Sequence, residues 1–150
     1  MLNFVETPKQ RNYTRELEET AIQFHGHGGP FLVIGLKMGL HALKTLDAKG
    51  WFNLTCRVYL NWAPPDSCVI DGIQSSTGCT MGKHNITVED GKGITAEFTD
   101  RNTSVKIKLR DDILARIRAT LDSEEKYNSL MKSLVDADPM ELFQVESYGF

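Results

Sequence analysis

The spacing of apolar residues predicts two helices in the first third of the chain. Residues 14–24 carry an apolar stripe with helical period, and residues 30–46 are apolar on nearly every side at first, which predicts a buried helix. The glycines between them end the first helix, and Pro30 suits the first turn of the second. Gly35 and Gly39 each cost about 1 kcal/mol of helix propensity relative to alanine, which predicts that another backbone packs closely against them.

Alternation of apolar and polar residues predicts strands in the middle of the chain. These strands lie at residues 55–62, 86–88, 94–98 and 105–109, with a last short one near 142–147. Further helices are predicted at residues 66–76, 111–119 and 123–135. Asp90-Gly91 predicts a hairpin turn, and Asp122 with Glu125 has the spacing of a capping box.

This order of elements predicts an α+β fold, with helices packed on an antiparallel or mixed sheet, in a single domain over residues 1–150. An apolar fraction of 41% and a charged fraction of 25% are typical of globular proteins. The net charge of -3 gives no reason to expect nucleic acid or an anionic membrane as a partner. Lys37, His41 and Lys44 interrupt the apolar run, so it is not a membrane span. With no signal-like apolar segment at residues 1–13, we expect a cytoplasmic protein.

Three clusters of residues carry candidate chemistry, and the first is FHGHGGPF at residues 24–31. His25 and His27 lie two apart in an irregular segment, where their ring nitrogens can converge on one metal ion. The backbone amides of Gly28 and Gly29, at the start of a helix, offer an anion-binding spot. The alternative is two exposed loop histidines beside capping glycines.

The second cluster is the short helix that begins near Asp66. Helical spacing puts Cys68 and Asp71 on its polar side, and Cys68 in the first turn, where the helix dipole lowers a thiol's pKa. A thiolate is the form that binds metal. The alternative is that Cys68 serves as a small buried hydrophobic residue, as we expect for Cys56.

The third cluster is the loop TGCTMGKHN at residues 77–85. Cys79 lies between two glycines and near Lys83, so it is a candidate metal ligand, a reactive nucleophile or a neighbour of an anion site. The alternative is a structural turn with an incidental cysteine. An odd number of cysteines, three, fits reduced thiols or metal ligands better than disulfides.

Taken together, the clusters supply the donor atoms of a zinc-type site. Metal-ligand candidates are His25, His27, Cys68 and Cys79, with Asp71 as a further ligand, a base or an orienting acceptor. Lys83, Gly28 and Gly29 are the candidates for holding an anionic group. The spacing is not that of a zinc finger, so folding would have to assemble the site.

The motifs FHGHGGPFLVIGLKMG and DSCVIDGIQSSTGCTMGKHN, in this order, resemble the FmdE family, which takes its name from one component of formylmethanofuran dehydrogenase. The resemblance spans roughly residues 17–109 and implies an α+β core domain, commonly dimeric, that in several members binds zinc. The family name refers to a molybdenum or tungsten enzyme that interconverts carbon dioxide and formylmethanofuran in methanogenesis. Relatives also occur in organisms without that pathway.

Two departures from the family pattern stand out. The family often has a cysteine at the position of Gly29 and a glycine at that of Phe31, and because no cysteine follows Cys79 we expect only the core domain, without the C-terminal zinc finger of many members. The resemblance implies a homodimer and a metal-binding accessory subunit of a larger redox enzyme. A free-standing metal-dependent enzyme and a small-anion-binding protein remain the alternatives, with no nucleic acid or membrane partner expected.

Overall fold

A computed structural model describes residues 7–149, which form five strands and six helices. The helices are α1 (Arg15–His25), α2 (Pro30–Leu46), α3 (Cys68–Thr77), α4 (Asp111–Thr120), α5 (Glu124–Asp136) and α6 (Pro139–Leu142). The strands are β1 (Leu54–Leu60), β2 (Ile86–Asp90), β3 (Thr95–Asp100), β4 (Thr103–Leu109) and β5 (Phe143–Gly149). Within the described range, no helix is long and apolar enough to cross a membrane.

The strands form one mixed sheet in the order β2-β1-β3-β4-β5, which confirms the predicted α+β class. Strand β2 pairs parallel to β1, and the other three pairings are antiparallel. The hairpin predicted at Asp90-Gly91 is wrong, because β1 lies between β2 and β3. Parallel neighbours need a crossover connection, and α3 supplies it. Gly91 accordingly donates its backbone amide to Leu60 O, at the end of β1.

The core lies between the sheet and α2. Alternate residues of β1 are buried, and Cys56 is among them, as predicted. Phe98 on β3 and Ile107 on β4 continue the same apolar face. Helix α2 contacts β3 and β4 and is buried along nearly its whole length, which explains why its first half is apolar on every side.

Helices α2 and α3 touch backbone to backbone, as the two glycines of α2 predict. A Cβ atom added at Gly35 would lie 2.1 Å from Val69 O, and one added at Gly72 would lie 2.4 Å from Leu32 O. At Gly39 the added atom would lie 1.9 Å from Ser76 Oγ. Only glycine permits this approach, so the helix propensity lost at these positions is offset by packing.

Lys37, one of the polar residues that interrupt the apolar run of α2, is buried and only 7% exposed. Its ammonium donates to the carbonyl oxygens of Leu134, Val135 and Ala137 at 2.9, 2.8 and 2.5 Å. These are the last carbonyls of α5, which have no partner within their own helix. Lys37 therefore caps α5 from a neighbouring helix and holds the two together.

Helix ends follow from local side chains. Thr14 accepts a hydrogen bond from Leu17 N at the start of α1. Helix α5 is capped by Ser123, which accepts from Lys126 N, so the predicted capping by Asp122 is wrong by one residue.

Candidate metal centre

The site lies where three elements meet. His25 is the last residue of α1, His27 lies in the turn between α1 and α2, and Cys68 is the first residue of α3. Gly26 ends α1 with a φ of 104°, a left-handed conformation that favours glycine, and donates its amide to Ile22 O. This sharp end brings His27 back beside His25.

The structure brings His25, His27 and Cys68 together. Each offers one ligand atom, and these atoms all lie within 4.8 Å of one another. The two imidazole rings have centroids 4.6 Å apart and planes tilted by 52°. Two nitrogens and one sulfur at this separation can share a single metal ion.

The two ring nitrogens of His25 have different environments. Nδ1 lies 2.5 Å from Asp71 Oδ2, so it carries the proton in the neutral ring and donates it to the carboxylate. Nε2 is buried and has no hydrogen-bond partner among residues 7–149. A buried ring nitrogen without a partner is costly in a native fold unless something binds it. Asp71 itself is held by Gln74, whose Nε2 donates to Oδ1 at 3.2 Å.

In His27, as in His25, Nδ1 is hydrogen-bonded to a protein oxygen and Nε2 is left for another partner. Its Nδ1 lies 3.1 Å from the carbonyl oxygen of Gly28, and only a protonated nitrogen can donate there. In the neutral ring, Nε2 is then left as an acceptor. Both histidines therefore have one nitrogen fixed by a protein acceptor, the arrangement that orients imidazole for a metal.

Cys68 is partly buried, and its environment opposes the predicted thiolate. Burial raises the pKa of the Cys68 thiol, and the neighbouring Asp71 carboxylate raises it further. The predicted net lowering of this pKa is therefore wrong, because burial and Asp71 outweigh the lowering by the backbone amide at the start of the helix. A divalent cation would reverse the balance, since a coordinating thiol is deprotonated.

Two predicted site residues lie elsewhere. Cys79 is fully buried in the core, where its Sγ donates to Leu54 O at 3.4 Å, and the structure does not bring it to the other three. Lys83 lies beyond the C-terminal end of α3, whereas Cys68 begins that helix, and ten helical residues span about 15 Å. Its Nζ donates to Thr80 Oγ1 and lies 5.6 Å from the centre of the Phe52 ring. The hydrogen bond and ring contact of Lys83 are therefore made within its own loop and at Phe52, beyond the opposite end of α3 from Cys68.

Tyr127 belongs to the site but was not singled out by sequence reasoning. It lies in the first turn of α5, and its hydroxyl donates to Gly28 O at 3.2 Å. It lines a cavity that His25, His27 and Cys68 also line. Helical spacing places Tyr127 on the same side of α5 as Leu130 and Leu134, which are buried. Nothing in the sequence indicates that this side of α5 contacts the turn that contains His27.

The donor set fits a zinc-type ion. Two imidazoles and one thiolate are common zinc ligands, and three protein ligands leave one position of a tetrahedral ion for another group. Asp71 behind His25 is the usual kind of outer partner. No second group of three or more clustered histidine, cysteine or acidic side chains occurs within the described residues.

Comparison with solved structures gives the same fold. The chain matches a protein from Syntrophus aciditrophicus, described as similar to the FmdE component of a tungsten formylmethanofuran dehydrogenase, with a TM-score of 0.66 and 21% identity. The match covers 96% of this chain and 77% of that one.

Among curated proteins, one from Archaeoglobus fulgidus is 27% identical over 127 residues. It is described as a probable S-adenosyl-L-methionine-binding protein. The match covers 84% of this chain but only 32% of the relative, so the chain spans about a third of that protein's length.

The family model that matches is FmdE, described as molybdenum formylmethanofuran dehydrogenase operon, and it covers residues 24–144. This range begins at the FHGH motif and includes both of the segments that carry the clustered ligands. The chain belongs to the FmdE family.

Proposed function

We propose that this chain is a cytoplasmic protein that binds zinc or a similar divalent metal through His25, His27 and Cys68. The observation that carries the proposal is the buried Nε2 of His25, which lacks a partner among the described residues while Asp71 holds the opposite nitrogen. A metal would satisfy that nitrogen, and it would also stabilise the thiolate form of a cysteine that faces two histidines.

The protein's own groups would each have a distinct role. Asp71 accepts a hydrogen bond from Nδ1 of His25 and so makes Nε2 a better ligand for a metal. The Gly28 carbonyl accepts from Nδ1 of His27 in the same way. The Tyr127 hydroxyl donates a second hydrogen bond to the Gly28 carbonyl. A metal held by these residues would supply Lewis acidity to a group bound at its open position.

At the level of biology, we propose an accessory subunit of formylmethanofuran dehydrogenase or of a related redox pathway. Family membership and the fold of the Syntrophus protein support this proposal. A homodimer remains a prediction, to be checked by light scattering on the purified protein.

Two alternatives remain: a free-standing metal-dependent enzyme and a small-anion-binding protein. Lys83 lies beyond the C-terminal end of α3 and its ammonium is held by Thr80, which speaks against the anion-binding form. The Archaeoglobus relative's description raises S-adenosyl-L-methionine as a ligand. The cavity beside the ligand cluster, about 150 Å³, is smaller than the roughly 300–1,000 Å³ that holds drug-sized ligands, so it is too small to enclose that molecule.

Elemental analysis of protein purified without a histidine tag tests the metal proposal. We expect about one zinc-type ion per chain, lost in His27→Ala and retained in His84→Ala, because His84 lies outside the cluster. Equal metal content in the two variants, or none in the parent protein, contradicts the proposal. Co-purification of a large partner from the native host then separates an accessory role from a free-standing enzyme.

A further inference from the structure

A small apolar cavity adjoins the three ligand residues. It has a volume of about 150 Å³, and besides the ligands its walls are formed chiefly by Phe31, Leu32, Pro65, Leu121 and Tyr127. Among residues 7–149, no lysine, arginine, aspartate or glutamate lines it. A ligand at the open metal position would therefore place the rest of its body against hydrocarbon.

Gly29 leaves room in this cavity. Its φ of -168° is extended backbone that any residue can adopt, so the conformation does not require glycine. A Cβ atom added there would lie 3.6 Å from the His27 ring and 3.7 Å from the Tyr127 hydroxyl, which is ordinary van der Waals contact. A larger side chain at this position would extend into the space between those two residues.

Two of the polar side-chain groups at the cavity are already engaged. The Tyr127 hydroxyl donates to Gly28 O, and His25 Nδ1 donates to Asp71. The other oxygens of a carboxylate or phosphate bound to the metal would meet mostly apolar side chains, and the backbone amides at the start of α2 would be their main donors. A thiolate has a single donor atom and needs few hydrogen bonds, and it is a strong ligand for zinc.

We propose that this site takes a small thiol whose sulfur occupies the open metal position and whose compact apolar body fills the cavity. The inference rests on the proposed metal site. An apolar cavity of about 150 Å³ accommodates benzene, which sets the size of the body at roughly six or seven heavy atoms. No covalent step is involved, because the thiol loses a proton to solvent and coordinates reversibly.

Cobalt(II) loading gives a readout that does not depend on activity, since its visible spectrum responds to each change of ligand. We expect benzenethiol to bind the cobalt protein at least tenfold more tightly than 4-mercaptobenzoate, which has the same aryl thiol donor and a larger, charged body. We expect the same margin over benzoate, which has the same ring and an oxygen donor. Equal affinity for benzenethiol and either competitor overturns the inference.

Substitution at position 29 tests the cavity itself. Gly29→Leu should still bind cobalt but weaken benzenethiol at least tenfold, whereas Gly29→Ala should change its affinity less than threefold. If Gly29→Leu does not fold, Leu121→Trp fills the cavity from its exposed wall. Unchanged benzenethiol affinity in a folded, cobalt-loaded filling variant overturns the inference and leaves the metal proposal intact. A parent protein that binds no cobalt instead overturns the metal proposal.

Discussion

His25 and Asp71 lie 46 residues apart in sequence, yet their Nδ1 and Oδ2 atoms lie 2.5 Å apart, and this contact decides which nitrogen of His25 remains for a metal. Helix α1 ends with the histidine, and the first turn of α3 carries the carboxylate. The pair therefore links the fold of two helices directly to the chemistry of the site.

Replacing this carboxylate by an amide tests the link. Asp71→Asn should lower metal affinity about 10–100-fold, because an amide holds the imidazole less strongly than a carboxylate does. Competition with a chromophoric chelator measures the change. Gln74→Ala is the matched control, since it removes only a 3.2 Å contact to the other oxygen, and it should lower affinity less. A larger loss in Gln74→Ala would contradict the assigned role of Asp71.

The two cysteines of the second and third clusters should behave differently. Cys68→Ser should abolish the thiolate-to-cobalt absorption and most of the metal content, because Cys68 is one of the three clustered ligands. Cys79→Ser should keep both and instead lower stability by about 1–2 kcal/mol, because it buries a hydroxyl in the core. If Cys79→Ser loses metal while Cys68→Ser retains it, Cys79 is the ligand and the assignment of Cys68 is wrong.

Metal affinity should rise with pH. Burial and Asp71 raise the pKa of Cys68 above its ordinary value of 9.0, so the metal-free thiol is protonated at neutral pH. Binding releases that proton, so affinity should increase about tenfold per pH unit up to the thiol's pKa, where it levels off. Chelator competition at several pH values measures the slope. A flat profile between about pH 7 and 8 would show that no thiol proton is lost on binding.

Removing the charge from Lys37 should destabilise the fold. In Lys37→Met the last carbonyls of α5 lose their donor, and we expect a loss of about 2–3 kcal/mol in the free energy of unfolding. Urea denaturation measures it. Lys44→Met, on the exposed side of the same helix, is the control and should change stability by less than about 0.5 kcal/mol. Equal effects in the two variants would contradict the capping role.

The contact between α2 and α3 should not tolerate a methyl group. In Gly35→Ala the new Cβ would lie 2.1 Å from Val69 O, so the helices must separate. We expect a net loss of about 2 kcal/mol, although alanine has the better helix propensity by about 1 kcal/mol. Gly82→Ala, where an added Cβ meets no described atom within 4 Å, should leave the melting temperature nearly unchanged. A stabilised Gly35→Ala variant would contradict the packing argument.

Much of the helical structure could be predicted from the sequence because its signals are local. Thr14, Gly26 and Pro30 mark the ends of α1 and α2 through their own backbone preferences, and Gly35 indicates a close neighbour without identifying it. The pairing of β2 could not be predicted in this way. Asp90-Gly91 has the composition of a hairpin turn, but the partner of a strand depends on contacts between distant segments.

The same distinction applies to the site. His25, His27 and Cys68 were recognisable by residue type, and the family resemblance pointed to them as well. The period of apolar residues indicates which side of a helix or strand is buried, but it does not indicate which helix ends and turns meet in the folded protein. For that reason Cys79 was grouped with the ligands although it lies in the core, and Tyr127 was not.

The glycine contact between α2 and α3 also bears on how the site can adjust to its ion. The turn that carries His27 leads directly into α2, and Cys68 and Asp71 lie on α3, so the distance between these groups depends on how the two helices sit against each other. With Gly35 against Val69 O and Gly72 against Leu32 O, the helices cannot approach further without a steric clash. The spacing of α2 and α3 therefore has a lower limit set by backbone contact. Adjustment of the site to a smaller ion should come from the side chains and from the turn that carries His27 rather than from closer packing of the two helices.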